Sequence, residues 1–165
     1  MPDSTVKEIS QAKLADLLTL VAEDMIAAEG DFQALDAALG DGDLGVTVKM
    51  GFQAIQEVCQ KSDQTQTSKI GSLLSAVGKA FMNANASTMG ALMGTAFSQA
   101  GKTAGLRTTV TLEDAVTMCR AAAEGIQRRG KAQLGDKTIL DAIFPACDAL
   151  AKVVSAFLCV GAVFF

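Results

Sequence analysis

The stretch from Leu35 to Gly45, LDAALGDGDLG, places three carboxylates, Asp36, Asp41 and Asp43, close together, with Gly40, Gly42 and Gly45 among them. Carboxylate oxygens are the ligands that hard divalent cations prefer, and a divalent ion removes the repulsion among like charges held this near one another. Without an ion, at least one carboxyl is expected to titrate above its ordinary range or to turn to water. The same residues also suit turn and helix-cap roles ahead of the next helix, and spacing by itself does not separate the two readings. A calcium loop of the EF-hand type is excluded, because a fourth acidic ligand and the closing bidentate Glu are both missing. Magnesium is the better match, and Mg²⁺ held by few carboxylates keeps positions open for water or phosphate oxygens.

Two further stretches suit such a phosphate. Ser87-Thr88-Met89-Gly90-Ala91-Leu92-Met93-Gly94 offers hydroxyls and bare backbone where a helix begins, and free N–H groups with the helix dipole attract anions. Gly90 and Gly94, four apart on one face, fit a close approach of two helices, which on composition is the plainer reading. From Arg128 to Thr138, RRGKAQLGDKT gathers cations and two glycines in a weakly charged chain. These cations would offset phosphate charge; a solvated loop after a helix C-terminus is the plainer reading. None of the three stretches is a Walker A loop.

Composition narrows the chemistry further. There is no histidine, which excludes Ser/His and Cys/His catalysis and the common zinc sites. With 14 basic against 18 acidic residues and no Tyr or Trp, the chain lacks the clustered charge and stacking surfaces of a nucleic-acid binder. The four cysteines, Cys59, Cys119, Cys147 and Cys159, form no CxxC pair and are expected to be buried thiols in a reducing compartment. The N-terminus lacks a secretory pattern, so a cytoplasmic protein is expected. From Val153 to Phe165 no side chain is charged over 13 residues, short of the about 20 a membrane span needs. That tail reads as a buried last helix, with a membrane-surface contact as the alternative.

These residues need elements to position them, and helical periodicity dominates. Thr5 with Glu8 fits a capping box, and Ile9, Leu14, Leu17, Leu18, Val21 and Met25 carry a helix to about Ala28, where Gly30 ends it. A short helix over 31–39 and a longer one over 46–60 follow, then a polar loop over 61–68. Two helices span 70–100, interrupted near Asn83-Ala84-Asn85-Ala86-Ser87, and a loop covers 101–108. Thr111 with Asp114 opens a helix to about Arg129. Asp136 is expected to cap a last helix from Lys137, kinked or broken at Pro145. Thr108 to Leu112, TTVTL, is the one strand candidate. The expected fold is all-α, an antiparallel helical bundle forming one domain over 1–165. With only 19% charged residues, the chain is expected to cover surface against a partner, a homodimer being one arrangement.

Together, the ordered motifs DxxxGDGDxG from Asp36, the Ser87 to Gly94 stretch and RGKAxxGDKTxLD from Arg129 to Asp141 resemble the nucleotide-binding subunit or domain of dihydroxyacetone kinases, the DhaL family. The similarity runs from about Leu14 to Leu150. The resemblance implies an up-and-down helical barrel of the DhaL type, with ADP or ATP at its rim and Mg²⁺ joining the phosphates to Asp36, Asp41 and Asp43. It implies nucleotide contacts at Leu44, Gly45, Val46 and Thr47, at Ser87 and Thr88, and at Gly125 and Leu134.

It also implies partners: a dihydroxyacetone-binding kinase subunit, and, in phosphotransferase-dependent members, a phosphocarrier subunit that recharges ADP. The absence of a substrate domain and of histidine favours the separate-subunit arrangement. Phosphoryl transfer needs mostly positioning and charge neutralisation, which suits a site without histidine. Two departures stand out. Many members carry His at the position of Leu44, and after about residue 150 the chain leaves the family pattern, so its C-terminal helices are expected to be shortened or altered. An alternative reading is therefore a non-catalytic helical interaction protein on the same scaffold.

Overall fold

The computed structural model describes residues 8–62 and 69–162, with only the backbone for residues 62 and 157–162. In chain order the elements are β1 (Ile9–Ser10), α1 (Gln11–Ala27), α2 (Glu29–Ala37), α3 (Leu44–Ser62), α4 (Ile70–Ala84), α5 (Thr88–Ala104), β2 (Thr109–Val110), α6 (Leu112–Gly130) and α7 (Leu140–Ala162). The all-α fold expected from periodicity is therefore the fold observed. The strand candidate forms a two-residue ribbon in which Ile9 pairs with Val110 and Ser10 with Thr109.

Successive helices run antiparallel, and close contacts give the register. Thr47 meets Asn85 and Gly51 faces Phe81 between α3 and α4. Gly78 faces Gly94 and Gly71 faces Gly101 between α4 and α5. Gly125 faces Gln99 and Gly130 faces Leu92 between α5 and α6. Arg120 pairs with Asp148 between α6 and α7. At the α4–α5 contact, a Cβ on either Gly78 or Gly94 would sit 2.6 Å from the other's carbonyl oxygen, so these helices pack backbone to backbone. The close-approach reading of Gly94 is correct.

Apolar burial follows this register. Ile55, Val77 and Phe81 anchor one cluster, where Phe52 meets Phe81 edge to face at 5.4 Å. Ile70, Leu74 and Val110 form a second cluster, and Ile126 and Leu140 a third that joins α6 to α7. Among the described residues α7 packs on α6 without a comparable interface to α1, leaving a seam in the helical ring. An apolar cavity of about 470 Å³ lies inside, lined by Leu14 on one side and Ile143 and Leu150 on another, with Phe97 and Met118 between.

Several boundaries differ from expectation. Thr5 lies outside the described residues; α1 is capped by Ser10, whose hydroxyl accepts from the Lys13 N–H at 3.3 Å. Ile9 belongs to β1 because its backbone pairs across the ribbon. Gly30 does not end α1 but sits inside α2: the first helix stops at Ala28, whose N–H bonds back to Asp24, and α2 begins at once. α5 continues to Ala104, where Gly105 turns the chain with φ +60°. The loop expected over 61–68 falls mostly outside the described residues; Lys61 and Ser62 belong to α3.

Asp136 does not cap the last helix. Its carboxylate is taken by the Gln133 N–H, and α7 starts at Leu140, where Thr138 accepts from the Leu140 N–H. α7 runs through Pro145 without a break, since the apolar packing of Ile143 and Phe144 beside it offsets one lost hydrogen bond. Cys59 and Cys147 are buried, but Cys119 is exposed, contrary to expectation, because the apolar cavity it lines with Cys147 is open. The Cys159 side chain lies outside the described residues. In the tail, Val154 is buried and Val153 exposed. Among the described residues no helix is long and apolar enough to cross a membrane.

Candidate metal and nucleotide site

The antiparallel register brings the start of α3, the α4–α5 turn and the α6–α7 loop to one end of the ring. The aspartate loop sits at that end. α2 closes with the Gly40 N–H on the Asp36 carbonyl at 2.6 Å, and Gly42 turns the chain with φ +76°, a conformation L side chains rarely adopt. α3 then starts against α2, where a Cβ at Gly45 would lie 2.4 Å from the Glu29 carbonyl oxygen. Beside this contact Lys49 and Glu29 form an ion pair at 2.8 Å.

This path gathers the three carboxylates: one oxygen from each of Asp36, Asp41 and Asp43 lies within 4.8 Å of the others. Asp36 is half-buried and accepts from the Leu44 N–H at 3.2 Å, while Asp41 and Asp43 are exposed. The charge of Asp41 pushes the Asp43 carboxyl above the ordinary carboxylate range, with desolvation, Asp36 and a hydrogen bond with Asp41 adding in the same direction. Like charges are thus held together at a cost that a divalent cation would remove.

The donor set fits magnesium. Around octahedral Mg²⁺, oxygens at about 2.1 Å lie about 3 Å apart as neighbours and about 4 Å apart across the ion. Side-chain rotation would bring a triad already within 4.8 Å to that spacing. Its two exposed members leave the outer side open for phosphate or water.

The residues implied as nucleotide contacts separate into groups. Leu44, Gly45, Val46 and Thr47 form the first turn of α3 directly after Asp43; Val46 is exposed, whereas Gly45 and Thr47 are buried. Ser87 is the N-cap of α5, its hydroxyl accepting from the Gly90 N–H at 3.0 Å, and Thr88 is the exposed first residue. The anion-binding and helix-start readings of this stretch are compatible, since the N-cap is where N–H groups converge. Gly125 is not at the rim but buried in the α5–α6 interface, where a Cβ would lie 2.7 Å from Gln99 Cγ. Leu134 is exposed on the α6–α7 loop.

Sequence reasoning assigned no role to Asn85 or Asp141. The Asn85 amide donates to Thr47 Oγ1 at 2.8 Å, across to the first turn of α3. Asp141 accepts from the Gly135 N–H at 2.6 Å and the Thr138 N–H at 2.8 Å, which hold its carboxyl below the ordinary carboxylate range. It thereby organises a loop in which Lys131 and Lys137 both adopt positive φ. The pattern Thr138-x-x-Asp141 is a capping-box signature that would have revealed this clamp. Asn85 has no such local signal, because its partner is 38 positions away.

Antiparallel helices with a carboxylate triad at one end define an all-α class of protein with a candidate cation site. The chain belongs to the DAK2 domain family, which matches residues 38–159. It is 31% identical over 143 residues to the ADP-binding subunit DhaL of the PEP-dependent dihydroxyacetone kinase of Escherichia coli (strain K12), covering 86% of this chain and 66% of that protein. With the ADP-binding subunit DhaL of PEP-dependent dihydroxyacetone kinase 2 of Listeria innocua serovar 6a it shares 34% over 136 residues, 79% of this chain and 62% of that one. A solved structure of the dihydroxyacetone kinase from C. freundii in complex with AMP-PNP and Mg²⁺ matches with a TM-score of 0.71 at 25% identity, covering 92% of this chain and 27% of that one. The chain therefore spans less than two thirds of the length of these relatives.

Proposed function

We propose that this chain is an ADP/ATP-binding, Mg²⁺-dependent phosphotransferase module of the dihydroxyacetone kinase type. The observation that carries the reading is the triad of Asp36, Asp41 and Asp43, within 4.8 Å of one another in a member of the DAK2 domain family. When bound, Mg²⁺ neutralises phosphate charge and orients the transferring group. Asp36, Asp41 and Asp43 would hold it. The N–H groups at the starts of α3 and α5 would take phosphate oxygens, favoured by the helix dipoles. Of the nucleotide contacts the resemblance implies, Leu44, Gly45, Val46, Ser87, Thr88 and Leu134 would border the nucleotide, while Thr47 and Gly125 are buried and would support the site from behind, Gly125 by letting α5 and α6 pack closely.

With no histidine in the chain, the acceptor is not held here as a covalent histidine adduct. The module supplies the phosphoryl donor to dihydroxyacetone, or a related short ketose, on a partner kinase subunit. The relatives named PEP-dependent favour a phosphocarrier subunit that recharges ADP in place. Such a module would work in the cytoplasm.

Calorimetry with Mg²⁺-ADP tests the reading. The wild type should bind and gain melting temperature, and Asp41→Ala with Asp43→Ala should abolish both effects. A wild type that folds cooperatively and takes up no nucleotide would refute it and leave the interaction-scaffold reading. An unchanged double variant would sink the metal assignment.

A further inference from the structure

Thr47 carries one of the few buried polar side chains among the described residues, at 1% exposure, although it lies in the turn of α3 that faces the triad. A hydroxyl so enclosed does not reach a ligand outside, and its oxygen already accepts from the Asn85 amide. Asn85 closes α4 in extended conformation (φ −149°, ψ 133°), and its carbonyl accepts from the Ser87 N–H at 2.9 Å. The Thr47 N–H in turn bonds to the Asp43 carbonyl at 3.1 Å. The links from Asp43 to Thr47, Thr47 to Asn85 and Asn85 to Ser87, with Ser87 accepting from the Gly90 N–H, make one continuous path from the aspartate loop to the first turn of α5.

We infer that Asn85 and Thr47 form a positioning strut, which sets the distance between the cation ligands and the phosphate-binding start of α5, and that Thr47 acts through Asn85 rather than as a ligand. This rests on the nucleotide reading above. Phosphate bridged between a cation and a helix N-terminus binds well only when both are held at the right separation, and residues that orient ligands typically change affinity by about 10- to 100-fold when removed. A pair that served folding alone would satisfy the buried hydroxyl without affecting nucleotide affinity beyond its effect on stability.

The experiment uses the full chain and the variants Asn85→Ala, Thr47→Val, the two combined, and Thr47→Ser. Three quantities are measured: the Kd of Mg²⁺-ADP by calorimetry, Mn²⁺ binding without nucleotide by electron paramagnetic resonance, and Tm without ligand. Each single variant is expected to raise the Mg²⁺-ADP Kd about tenfold, the double no further, and Mn²⁺ binding to stay within about twofold of wild type. Thr47→Ser, which keeps the hydroxyl, is expected to restore nucleotide affinity. Asn85 is half-exposed at a helix end, so Asn85→Ala carries the test by itself if Thr47→Val fails to fold. Wild-type affinity in Asn85→Ala, or losses that multiply in the double variant, would overturn the strut. A wild type that does not bind Mg²⁺-ADP overturns the nucleotide reading and the strut together, and is thereby distinguished from failure of the strut alone.

Discussion

Replacing glycine by alanine at two helical positions should shift stability in opposite directions. At Gly94 the new methyl would lie 2.6 Å from the Gly78 carbonyl oxygen and 2.8 Å from Met82 Cβ, so α4 and α5 must part by roughly 0.8 Å to reach ordinary contact. Overpacking of this kind costs about 1–3 kcal/mol, and alanine's better helix propensity returns about 1 kcal/mol. The net loss is up to about 2 kcal/mol, which for a chain of this size lowers Tm by up to about 6 °C. At Gly30, inside α2, nothing lies within 4 Å of the added methyl. Gly30→Ala should therefore gain about 0.5 kcal/mol, a rise of about 1–2 °C. Melts followed by far-UV circular dichroism on both variants give the comparison. A Gly94→Ala protein that gains stability as Gly30→Ala does would refute the backbone-to-backbone packing of α4 on α5.

Other substitutions probe separate features. Leu140→Ala removes a side chain only 1% exposed beside Ile126 and should cost about 2–4 kcal/mol in chemical denaturation, because the cavity left between α6 and α7 cannot fully collapse. Thr111→Ala breaks the capping box in which Thr111 and Asp114 satisfy each other's backbone N–H, at about 1 kcal/mol by the same measurement. Asp141, whose folded pKa is depressed, contributes stability above the ordinary carboxylate range and loses it as pH falls through the lowered value. Limited proteolysis of the 131–138 loop should accordingly accelerate in strong acid for the wild type, and already at neutral pH for Asp141→Asn; equal neutral rates would refute the clamp.

Local signals made the helices legible in the sequence. Thr111 with Asp114, the break before Ser87 and the apolar stripes of α3 and α4 are short-range patterns, and each marks its element to within a few residues. Boundaries failed where a tertiary contact overrode local chemistry. Ile9 left its helical stripe for the ribbon with Val110, and the carboxylate of Asp136 was claimed by Gln133 before it could cap α7. At the site, the triad was visible because its ligands lie in one loop. Asn85 was not, because a hydrogen bond between residues 38 apart leaves no periodic trace. Gly125 illustrates a third case: a glycine expected at the nucleotide lies buried between α5 and α6, where a Cβ would meet the Gln99 side chain.

The two-residue ribbon also constrains the order of assembly. Ile9 finds its partner only at Val110, and the Gln11 N–H bonds to the Thr108 carbonyl, so α1 is fastened at its start to the segment that leads into α6. During synthesis at about 5–20 residues per second, the first helix must wait several seconds for that segment to emerge. The hairpin of α4 and α5, local in sequence and held by facing glycines, has no such delay and is positioned to nucleate the fold. The start of α1 is therefore fastened later than its body, which packs on α3 through Ala15 and Ala22.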